Sequence, residues 1–436
     1  MIIKRVKKSG IILGIILLSL SAIILLLYLF LYPYRGSVKS WAPIHVPLEQ
    51  TFTKEEAIED LSYLLKRYHS VDYLFKDGIP PAFQQQFDKE CKSLSNHPST
   101  VQIWQAASRI TNTLKNAHDS VYAILSEDNY FYVFYKINNG TLYLYDKKNQ
   151  YRVKDINGTP ADDIISNATK LFSYENDYYL NYKITAYLQS KSGVAFLTGK
   201  DNADYVVTYL KDNKVEKKVV EVFKFTNSDN NSSDFVKYTI DPDYKVAILT
   251  LTQCNYNDHY KKVLKDFFTE VKDKNIENVA VDLRTNGGGN SMVAYEFLKY
   301  LNVNKVKDFT SYYRLKKIDG KSPFNSVKGN KKKDLVFNGN VYVLTSTKTF
   351  SSAMQFSVLL QDNKLAKVIG APCGNKPSQY GETVTFTLPH SKLFFDCSIS
   401  YFVRPDKKLK DDAYQVPDYE VGEDQAVAKL YDIIDK

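Results

Sequence analysis

The hydrophobic pattern of the chain is strongest near the N-terminus, where residues 11–32 hold 19 apolar residues out of 22 and no charged residue. A helix over this run would be about 33 Å long, which suffices to cross the roughly 30 Å hydrocarbon core of a bilayer. Residues 1–10 carry four basic residues and no acidic one. We therefore predict a transmembrane anchor at 11–32, with a cytoplasmic tail at 1–10 and the rest of the chain outside the cell membrane.

A cleaved signal peptide is the alternative interpretation of this run. The apolar region of a signal peptide is usually about 7–15 residues long and is followed by a cleavage site of small residues. The sequence YLFLYPYRGSV at the end of the run offers no good site of that kind. The pattern therefore favours an anchor that is retained.

Helical spacing characterises the next part of the chain. Residues 33–52 are polar and contain prolines, as expected of a stalk. A capping box at Thr53–Glu56 begins one predicted helix, and Ser99–Gln102 begins a second. Apolar residues three or four positions apart follow each start, and a weaker helix is expected at 81–95. Residues 53–119 are therefore predicted to form a small helical subdomain.

Alternation of aromatic and polar residues begins at residue 120 and predicts a β-rich region over 120–243. A helix is expected at 177–190 and a strand at 194–199. Residues 153–165, VKDINGTPADDII, are typical of a strand, a turn at Asn157-Gly158 and a helix. This phrase resembles the strand-turn-helix unit of PDZ-like domains.

Strands and helices alternate over residues 244–436, which predicts an α/β core with a mixed sheet and crossover helices. The fold class of the whole chain is therefore expected to be α/β, in the mixed α+β sense.

A glycine-rich loop follows the apolar strand NVAVDLR of this core. It reads Asn286-Gly287-Gly288-Gly289-Asn290 and leads into a helix. Such a loop allows backbone N–H groups to converge on an anion or an oxyanion. The sequence matches neither a P-loop nor the GxGxxG dinucleotide motif. A tight turn without a chemical role is the alternative.

Ser351 stands at the junction between the apolar strand VYVLT and a predicted helix. A serine there can present its hydroxyl while the following N–H, that of Ser352, points at an oxyanion. The alternative is an ordinary helix N-cap. No GxSxG motif is present at this position, which disfavours an α/β-hydrolase.

Two residues are candidate general bases. Lys376 lies in GAPCGNKPSQYGE, 25 residues after Ser351, and His118 lies in LKNAHDS beside Asp119. Taken alone, a lysine in a loop is usually solvated and a single histidine is usually structural.

The phrases DLRTNGGG, VYVLTSTKTFSSA and AKVIGAPCGNKPSQYGE, in that order, resemble the tail-specific, C-terminal-processing serine peptidases and their tricorn-core relatives. The resemblance covers residues 244–420 and includes a closing Val-Pro-Asp at 416–418. It implies that Ser351 is the nucleophile. It also implies that the oxyanion donors are the N–H of Gly288 or Gly289 and the N–H of Ser352.

Members of this family differ in their base. Processing proteases use a lysine at the spacing of Lys376, supported by a glutamine four residues later, where this chain has Tyr380. Tricorn-like members use a histidine in an L-x-D-x-H phrase, which resembles residues 114–118, with an acidic residue near the C-terminal Pro-Asp.

Only Asp411 and Asp412 are available as that acidic residue, and they match the pattern imperfectly. A lysine base must lose roughly three pKa units to accept a proton near pH 7, whereas a histidine needs no such shift. We favour His118, with Lys376 holding substrate or an oxyanion, and leave the choice open.

The expected function is that of a membrane-anchored, extracytoplasmic serine endopeptidase acting on proteins or peptides. The alternative is a catalytically idle surface protein that binds peptide ends through the PDZ-like region.

The composition adds little to this interpretation. Lys and Arg total 58 against 49 Asp and Glu, giving a net charge of +9, which does not indicate a nucleic-acid partner. A lysine-rich segment at 314–333 is read as a solvated loop, with an anionic-polymer or membrane-surface site as the alternative. The histidine and cysteine spacings indicate no metal site and no cofactor. A disulfide between Cys373 and Cys397 is possible.

Overall fold

The structure is a computed structural model that describes residues 14–25, 33–38, 47–125, 128–146, 149–200, 204–225, 235–315, 318–322, 326–328 and 333–435. The α-helices within these ranges are α1 (14–25), α2 (Lys54–Val71), α3 (Pro81–Ser93), α4 (Thr100–Asn112), α5 (Ala161–Leu171), α6 (Asp177–Tyr187), α7 (Lys191–Thr198), α8 (Asp258–Asp273), α9 (Met292–Leu298), α10 (Ser352–Asp362) and α11 (Ala426–Ile434).

The strands within the same ranges fall into three sheets and two separate strand pairs. They are β1 (Val121–Tyr122), β2 (Asp128–Phe131), β3 (Phe134–Asn138), β4 (Thr141–Asp146), β5 (Asn149–Ile156), β6 (Thr159–Pro160), β7 (Val206–Lys211), β8 (Lys214–Val219), β9 (Val222–Phe225), β10 (Val236–Asp241), β11 (Val246–Leu251), β12 (Asn278–Asp282), β13 (Lys305–Lys307), β14 (Thr310–Leu315), β15 (Ile318–Lys321), β16 (Ser326–Lys328), β17 (Asn340–Thr345), β18 (Lys367–Gly370), β19 (Gln379–Thr387), β20 (Phe394–Val403) and β21 (Tyr419–Glu420).

Residues 14–25 of the predicted anchor form helix α1. Its large apolar side chains are exposed; Leu18, for example, is 74% exposed. No helix among the described residues is long and apolar enough to cross a membrane. Residues 11–13 and 26–32 of the predicted anchor lie outside the described residues.

The predicted mixed sheet is confirmed and is called the core sheet here. Its strand order is β10-β11-β12-β17-β18-β21, with β10 antiparallel to β11 and the other pairs parallel. Successive residues of each strand face opposite sides: in β12, Val279 and Val281 pack towards α8, α9 and α10, whereas Ala280 packs towards α11. The sheet is therefore covered by helices on both faces, as expected of strands made almost entirely of apolar residues.

The helical segment over 53–119 contains α2, α3 and α4, as predicted. Both capping boxes are formed, Thr53 with Glu56 and Ser99 with Gln102. The strands β1, β14, β15, β19 and β20 form what we call the side sheet. The apolar faces of these helices pack against its strands β1, β19 and β20. Residues from this sheet and from the PDZ-like region belong to the same hydrophobic cluster as the helices.

The region over 120–243, called the PDZ-like region here after the predicted resemblance, contains the antiparallel sheet β3-β4-β5-β7-β8, with β6 paired to β5. We call this sheet the PDZ-like sheet. The prediction of a strand at 194–199 is wrong, because Lys191–Thr198 forms helix α7. The Ser190 hydroxyl caps this helix by accepting the N–H of Gly193, and Gly199 ends it in a left-handed conformation. The short apolar run fits a buried helix as well as a strand, and the caps decide the outcome.

The lysine-rich segment contributes secondary structure rather than a continuous loop. β14 pairs with both β15 and β20 in the side sheet, and β16 pairs with β13. Residues 316–317, 323–325 and 329–332 lie outside the described residues.

Candidate active site

Three loops of the core meet at one edge of the core sheet. They follow the carboxyl ends of β12, β17 and β18, which are adjacent and parallel. Carboxyl ends of parallel strands lie at the same edge, which is where open α/β sheets place their binding sites. These loops carry the glycine-rich segment, Ser351 and Lys376, so the sheet order brings the three sequence motifs together.

Hydrogen bonds fasten the loop before Ser351 to its two neighbours. The Thr349 hydroxyl donates to the Leu283 carbonyl at 2.8 Å, and the Phe350 N–H donates to the Asn286 carbonyl at 3.0 Å. On the other side, the Gly374 N–H donates to the Thr349 carbonyl at 3.0 Å. The nucleophile candidate is thus held between two fixed loops.

Ser351 has an unusual backbone conformation immediately before α10, with φ +54° and ψ −124°. A non-glycine residue with this φ is strained, and such strain persists only where the surroundings enforce it. The Ser351 side chain makes no capping hydrogen bond to α10. The ordinary N-cap interpretation therefore does not describe this serine.

A hydrogen bond from the Ser351 N–H to Asn375 holds the strained backbone of Ser351 in place. The Asn375 side-chain carbonyl accepts the Ser351 N–H at 2.9 Å, and the Asn375 side chain is fully buried. The Asn375 amide group in turn donates to the Gln379 side chain and to the Lys376 carbonyl. Sequence motifs did not indicate Asn375 as a site residue.

Gly288 packs directly against the serine. A Cβ at this position would lie 2.8 Å from Ser351 Cβ and 2.9 Å from the Phe350 carbonyl oxygen, and φ is +107°. Both the contact and the backbone angle require glycine here. Gly287, by contrast, has open space around it.

The predicted oxyanion donors differ in their availability. The Gly288 N–H already donates to the Asn286 side-chain carbonyl at 2.9 Å, so Gly288 is wrong as a free donor. The Gly288 carbonyl accepts the Cys254 N–H. Because the Gly288–Gly289 peptide bond is trans, the Gly289 N–H points in the direction opposite to that carbonyl. The Ser352 N–H lies at the N-terminus of α10, where the first N–H groups have no partner within the helix.

The Ser352 side chain also connects the two loops. Its hydroxyl donates to the Gly289 carbonyl at 2.7 Å. This bond fixes the orientation of Gly289 relative to the start of α10.

His118 packs against Phe350, the residue before the serine, but is not hydrogen-bonded to Ser351. The centroids of the His118 and Phe350 rings are 4.5 Å apart, and the Phe350 ring also stacks on Tyr179, at 4.7 Å. His118 is only 9% exposed, and neither of its ring nitrogens has a hydrogen-bond partner among the described residues. β19 passes the ring closely, since a Cβ on Gly381 would lie 3.8 Å from His118 Nε2.

The surroundings keep the His118 imidazole neutral. Burial lowers its pKa to about 3, with a further contribution from the nearby Lys183 cation. Lys183 lies on α6 with its ammonium group over the rings of Phe172 and Tyr179. Burial lowers the pKa of Lys183 to about 8, partly offset by the Asp396 carboxylate.

Lys376 also lies at the site, half-buried. Its backbone N–H donates to a Glu175 carboxylate oxygen at 2.9 Å. Burial raises the pKa of Glu175 to about 8, although this hydrogen bond and the Lys376 charge act in the opposite direction. Glu175 comes from the PDZ-like region and was not anticipated from the sequence.

The acidic candidates near the C-terminus do not contact His118. Asp412 pairs with Arg404 at 3.2 Å, and Asp411 is exposed beside Lys410. Asp418 of the Val-Pro-Asp phrase is structural, since it accepts the Val368 N–H at 2.9 Å and pairs with Lys367. No carboxylate therefore orients the His118 ring among the described residues.

The cysteines near the site are not joined. Cys373 and Cys397 are both free and buried, as is Cys254. The disulfide considered for Cys373 and Cys397 is not formed. Burial raises the pKa of both thiols.

A groove of about 1110 Å³ leads towards the site from the PDZ-like region. It lies between β3, which is an edge strand of the PDZ-like sheet, and α6. Thr347 and Lys348, which precede Ser351 in its loop, form part of the lining together with Glu423. An extended peptide in this groove would therefore reach the serine loop.

The sequence comparison identifies the family. Residues 245–421 match the model of peptidase family S41. The α/β core of the chain therefore carries a peptidase of family S41. It is accordingly a serine peptidase, and the predicted relationship to tail-specific peptidases is confirmed. The S41 match spans the three loops described above.

Solved structures with a similar fold are found as well. Mature CPAF is 13% identical to the chain, with TM-scores of 0.63 alone and 0.62 in complex with lactacystin; the latter match covers 88% of this chain and 97% of CPAF. The photosystem II D1 C-terminal processing protease is 12% identical over 87% of this chain and 97% of its own, with a TM-score of 0.49. No curated protein is similar enough to the chain to count as a relative.

Proposed function

We propose that this S41 peptidase is an endopeptidase in which the Ser351 hydroxyl attacks the scissile carbonyl of a protein or peptide substrate. The strained backbone of Ser351, with its hydroxyl free of any capping bond, carries this assignment. Such a conformation is costly and is held here by Asn375 and by the packing of Gly288. A serine that served only to begin a helix would need neither.

The negative charge of the tetrahedral intermediate requires donors beside the attacking oxygen. We assign this role to the Ser352 N–H and the Gly289 N–H. Support comes from the position of Ser352 at the N-terminus of α10 and from the Ser352–Gly289 hydrogen bond. The partial positive charge of a helix N-terminus favours the same anion.

His118 is proposed as the general base. A neutral imidazole can accept a proton, and both His118 nitrogens are without partners at a site next to the serine loop. Catalytic hydrogen bonds often tighten only when substrate binds. The His118 imidazole is therefore proposed to approach the Ser351 hydroxyl when substrate binds.

The proposed reaction proceeds through an acyl-enzyme. His118 takes the Ser351 proton as the Oγ–C bond forms, then gives it to the departing amine as the C–N bond breaks. Water then loses a proton to His118 and displaces Ser351, which regains its proton. Lys376 would hold substrate near the serine.

The groove between β3 and α6 is proposed to bind the substrate as an added strand. Among the described strands, β3 is a sheet edge that pairs with a neighbouring strand on one side only, a geometry suited to extended peptides. Unfolded or extended segments are therefore the expected substrates. Folded proteins would not present such a segment.

The membrane location rests on the sequence pattern of residues 1–32. We propose a single-pass anchor at 11–32 with the peptidase outside the cell membrane. Protease accessibility of the peptidase in intact cells tests this orientation.

The activity is tested with the full-length chain in detergent and an unfolded protein such as reduced, alkylated casein. Hydrolysis by the natural chain and its loss in Ser351→Ala, at an unchanged melting temperature, support the proposal. Undiminished hydrolysis by Ser351→Ala would overturn it.

A catalytically idle peptide-binding protein is the second candidate. It is favoured by one observation, the absence of a hydrogen bond between His118 and Ser351 among the described residues. That protein would bind extended peptides in the groove without cleaving them. Bound peptide recovered intact after long incubation would favour this candidate.

A further inference from the structure

The buried carboxyl groups of Asp72 and Asp119 meet next to the chain segment that carries His118. The Ser398 N–H lies 2.8 Å from an Asp72 carboxyl oxygen and 2.9 Å from an Asp119 carboxyl oxygen. Asp72, Asp119 and Ser398 have no solvent exposure. Because both oxygens approach the same hydrogen, the two carboxyl groups are neighbours, and two negative charges there would repel strongly.

The Asp119 carboxyl group accepts more hydrogen bonds than the Asp72 carboxyl group. Asp119 accepts from the Ser398 N–H, from the Ser398 hydroxyl at 2.8 Å and from the Asn116 amide at 2.7 Å. Asp72 accepts from the Leu74 N–H at 2.8 Å and shares the Ser398 N–H. The ionised form is stabilised by donors, so Asp119 is the better site for the charge and Asp72 for a proton.

We propose that Asp72 and Asp119 hold one proton between them, carried by Asp72, and that this pair is the positioning element for His118. The positioning role rests on the proposed function, in which His118 is the base. Neither aspartate touches substrate in this account; both act through the histidine.

Asn116 connects the pair to the histidine. The Asn116 side-chain amide group donates to Asp119 and to the Ser398 hydroxyl. The Asn116 side-chain carbonyl accepts the main-chain N–H of His118 at 3.2 Å. The Asp119 N–H returns to the Asn116 carbonyl at 3.1 Å. The backbone on both sides of His118 is thus anchored to β20 and to the end of α2, although no carboxylate binds the ring itself.

The surroundings of the pair favour retention of the proton. Burial raises the pKa of both carboxyls, and for Asp72 the charge of Asp119 is the next contribution. The Arg314 guanidinium, which donates to the Asp72 main-chain carbonyl at 2.6 Å, acts in the opposite direction, because a nearby cation favours the ionised carboxylate. The other titratable groups that influence or adjoin the pair are Tyr68, Glu175, Tyr380, Asp396 and Cys397, together with His118 and Lys183.

The proton makes the pair sensitive to alkaline pH. Between the pKa of an unfolded aspartate, about 4, and the raised pKa of the folded pair, the folded chain binds a proton that the unfolded chain does not. The pair's contribution to stability therefore falls as pH rises through this window. Loss of the shared proton would place two charges behind His118 and loosen its loop.

The test compares Asp72→Asn with Asp119→Asn in the full-length chain. An amide at position 72 donates to Asp119 as the protonated carboxyl does, so Asp72→Asn should retain peptidase activity at pH 6. It should also lack the alkaline decline in kcat/KM and in melting temperature that the natural chain shows between pH 6 and 9. An amide at position 119 faces three donors, so Asp119→Asn should lower kcat/KM by about 10²-fold.

A readout independent of peptidase activity is the rate at which diethyl pyrocarbonate modifies His118, followed by mass spectrometry. We expect faster modification in Asp119→Asn and, above neutral pH, in the natural chain, but not in Asp72→Asn. Asp60→Asn is the matched control, since Asp60 is a buried carboxyl of α2 that accepts the N–H groups of His390 and Ser391.

Equal effects of the two substitutions, or a greater effect of Asp72→Asn, would overturn the assignment of the proton. An unchanged His118 modification rate in Asp119→Asn would overturn the positioning role. If the natural chain cleaves no substrate, the proposed function fails, while the melting temperatures and modification rates still decide on the pair.

Discussion

The side-chain carbonyl of Asn375 accepts the backbone N–H of Ser351 at 2.9 Å. This bond joins the loop after β18 to the loop after β17 at the residue with the strained backbone. The hydrogen bond satisfies a main-chain group that α10 leaves without an intrahelical partner. It is therefore the contact on which the geometry of the proposed nucleophile depends most directly.

Asn375→Ala should reduce turnover more than it reduces substrate binding. Loss of a buried acceptor leaves the Ser351 N–H unpaired and costs about 1–3 kcal/mol of stability. Because Ser351 then relaxes from its strained conformation, kcat should fall while KM changes little. Asn375→Asp keeps the acceptor and should restore part of kcat. Equal kcat values for the Ala and Asp variants would contradict this role.

Gly288→Ala should inactivate the peptidase. The added methyl would meet Ser351 Cβ at 2.8 Å and would force a positive φ on alanine, at a cost of about 1–3 kcal/mol. Displacement of the serine should lower kcat/KM by about 10²-fold. Gly287→Ala is the control, since nothing lies within 4 Å of its Cβ position. Similar activities of the two variants would refute the proposed packing.

Phe134→Lys should weaken substrate binding without destabilising the chain. Phe134 lines the groove on β3 and is 55% exposed, so its replacement should change stability by less than about 0.5 kcal/mol. KM for an unfolded substrate should rise. Val215→Lys changes an equally exposed residue, 55%, on β8 at the opposite edge of the same sheet. A KM shift shared by both variants would argue against the groove.

Replacement of His118 by phenylalanine should flatten the acid side of the stability profile. The folded pKa of His118 is about 3, against about 6.5 in an unfolded chain. Between these values the unfolded chain binds a proton that the folded chain does not. The contribution of His118 to the free energy of unfolding is therefore complete at neutral pH and is lost as pH falls. Denaturant unfolding from pH 7.5 to 4.5 should show a steeper loss for the natural chain. Parallel profiles would contradict a buried, neutral His118.

Much of the fold could be predicted because its signals are local. The capping boxes at Thr53 and Ser99 specify helix starts with their own side chains, and the apolar strand NVAVD at 278–282 is typical of a sheet covered on both faces. The motifs also identified the three loops that meet at the core sheet. The helix at Lys191–Thr198 was missed because its eight residues, KSGVAFLT, carry no clear period.

The finer contacts of the site could not be predicted, since they join residues distant in sequence. Glu175 reaches Lys376 from the PDZ-like region, and the side chain of Asn375 binds the Ser351 N–H across two loops. Asp72 and Asp119 are separated by two helices and meet at Ser398 of β20. No spacing rule connects such partners.

The reactivity of Ser351 tests the central claim most directly. The full-length chain is treated with a fluorophosphonate, which modifies activated serines, and the adduct is located by peptide mass spectrometry. The account predicts one adduct on the peptide containing Ser351, its absence in Ser351→Ala, and slower labelling in Gly288→Ala but not in Gly287→Ala. An unlabelled Ser351 in a chain that still hydrolyses unfolded protein would contradict the account.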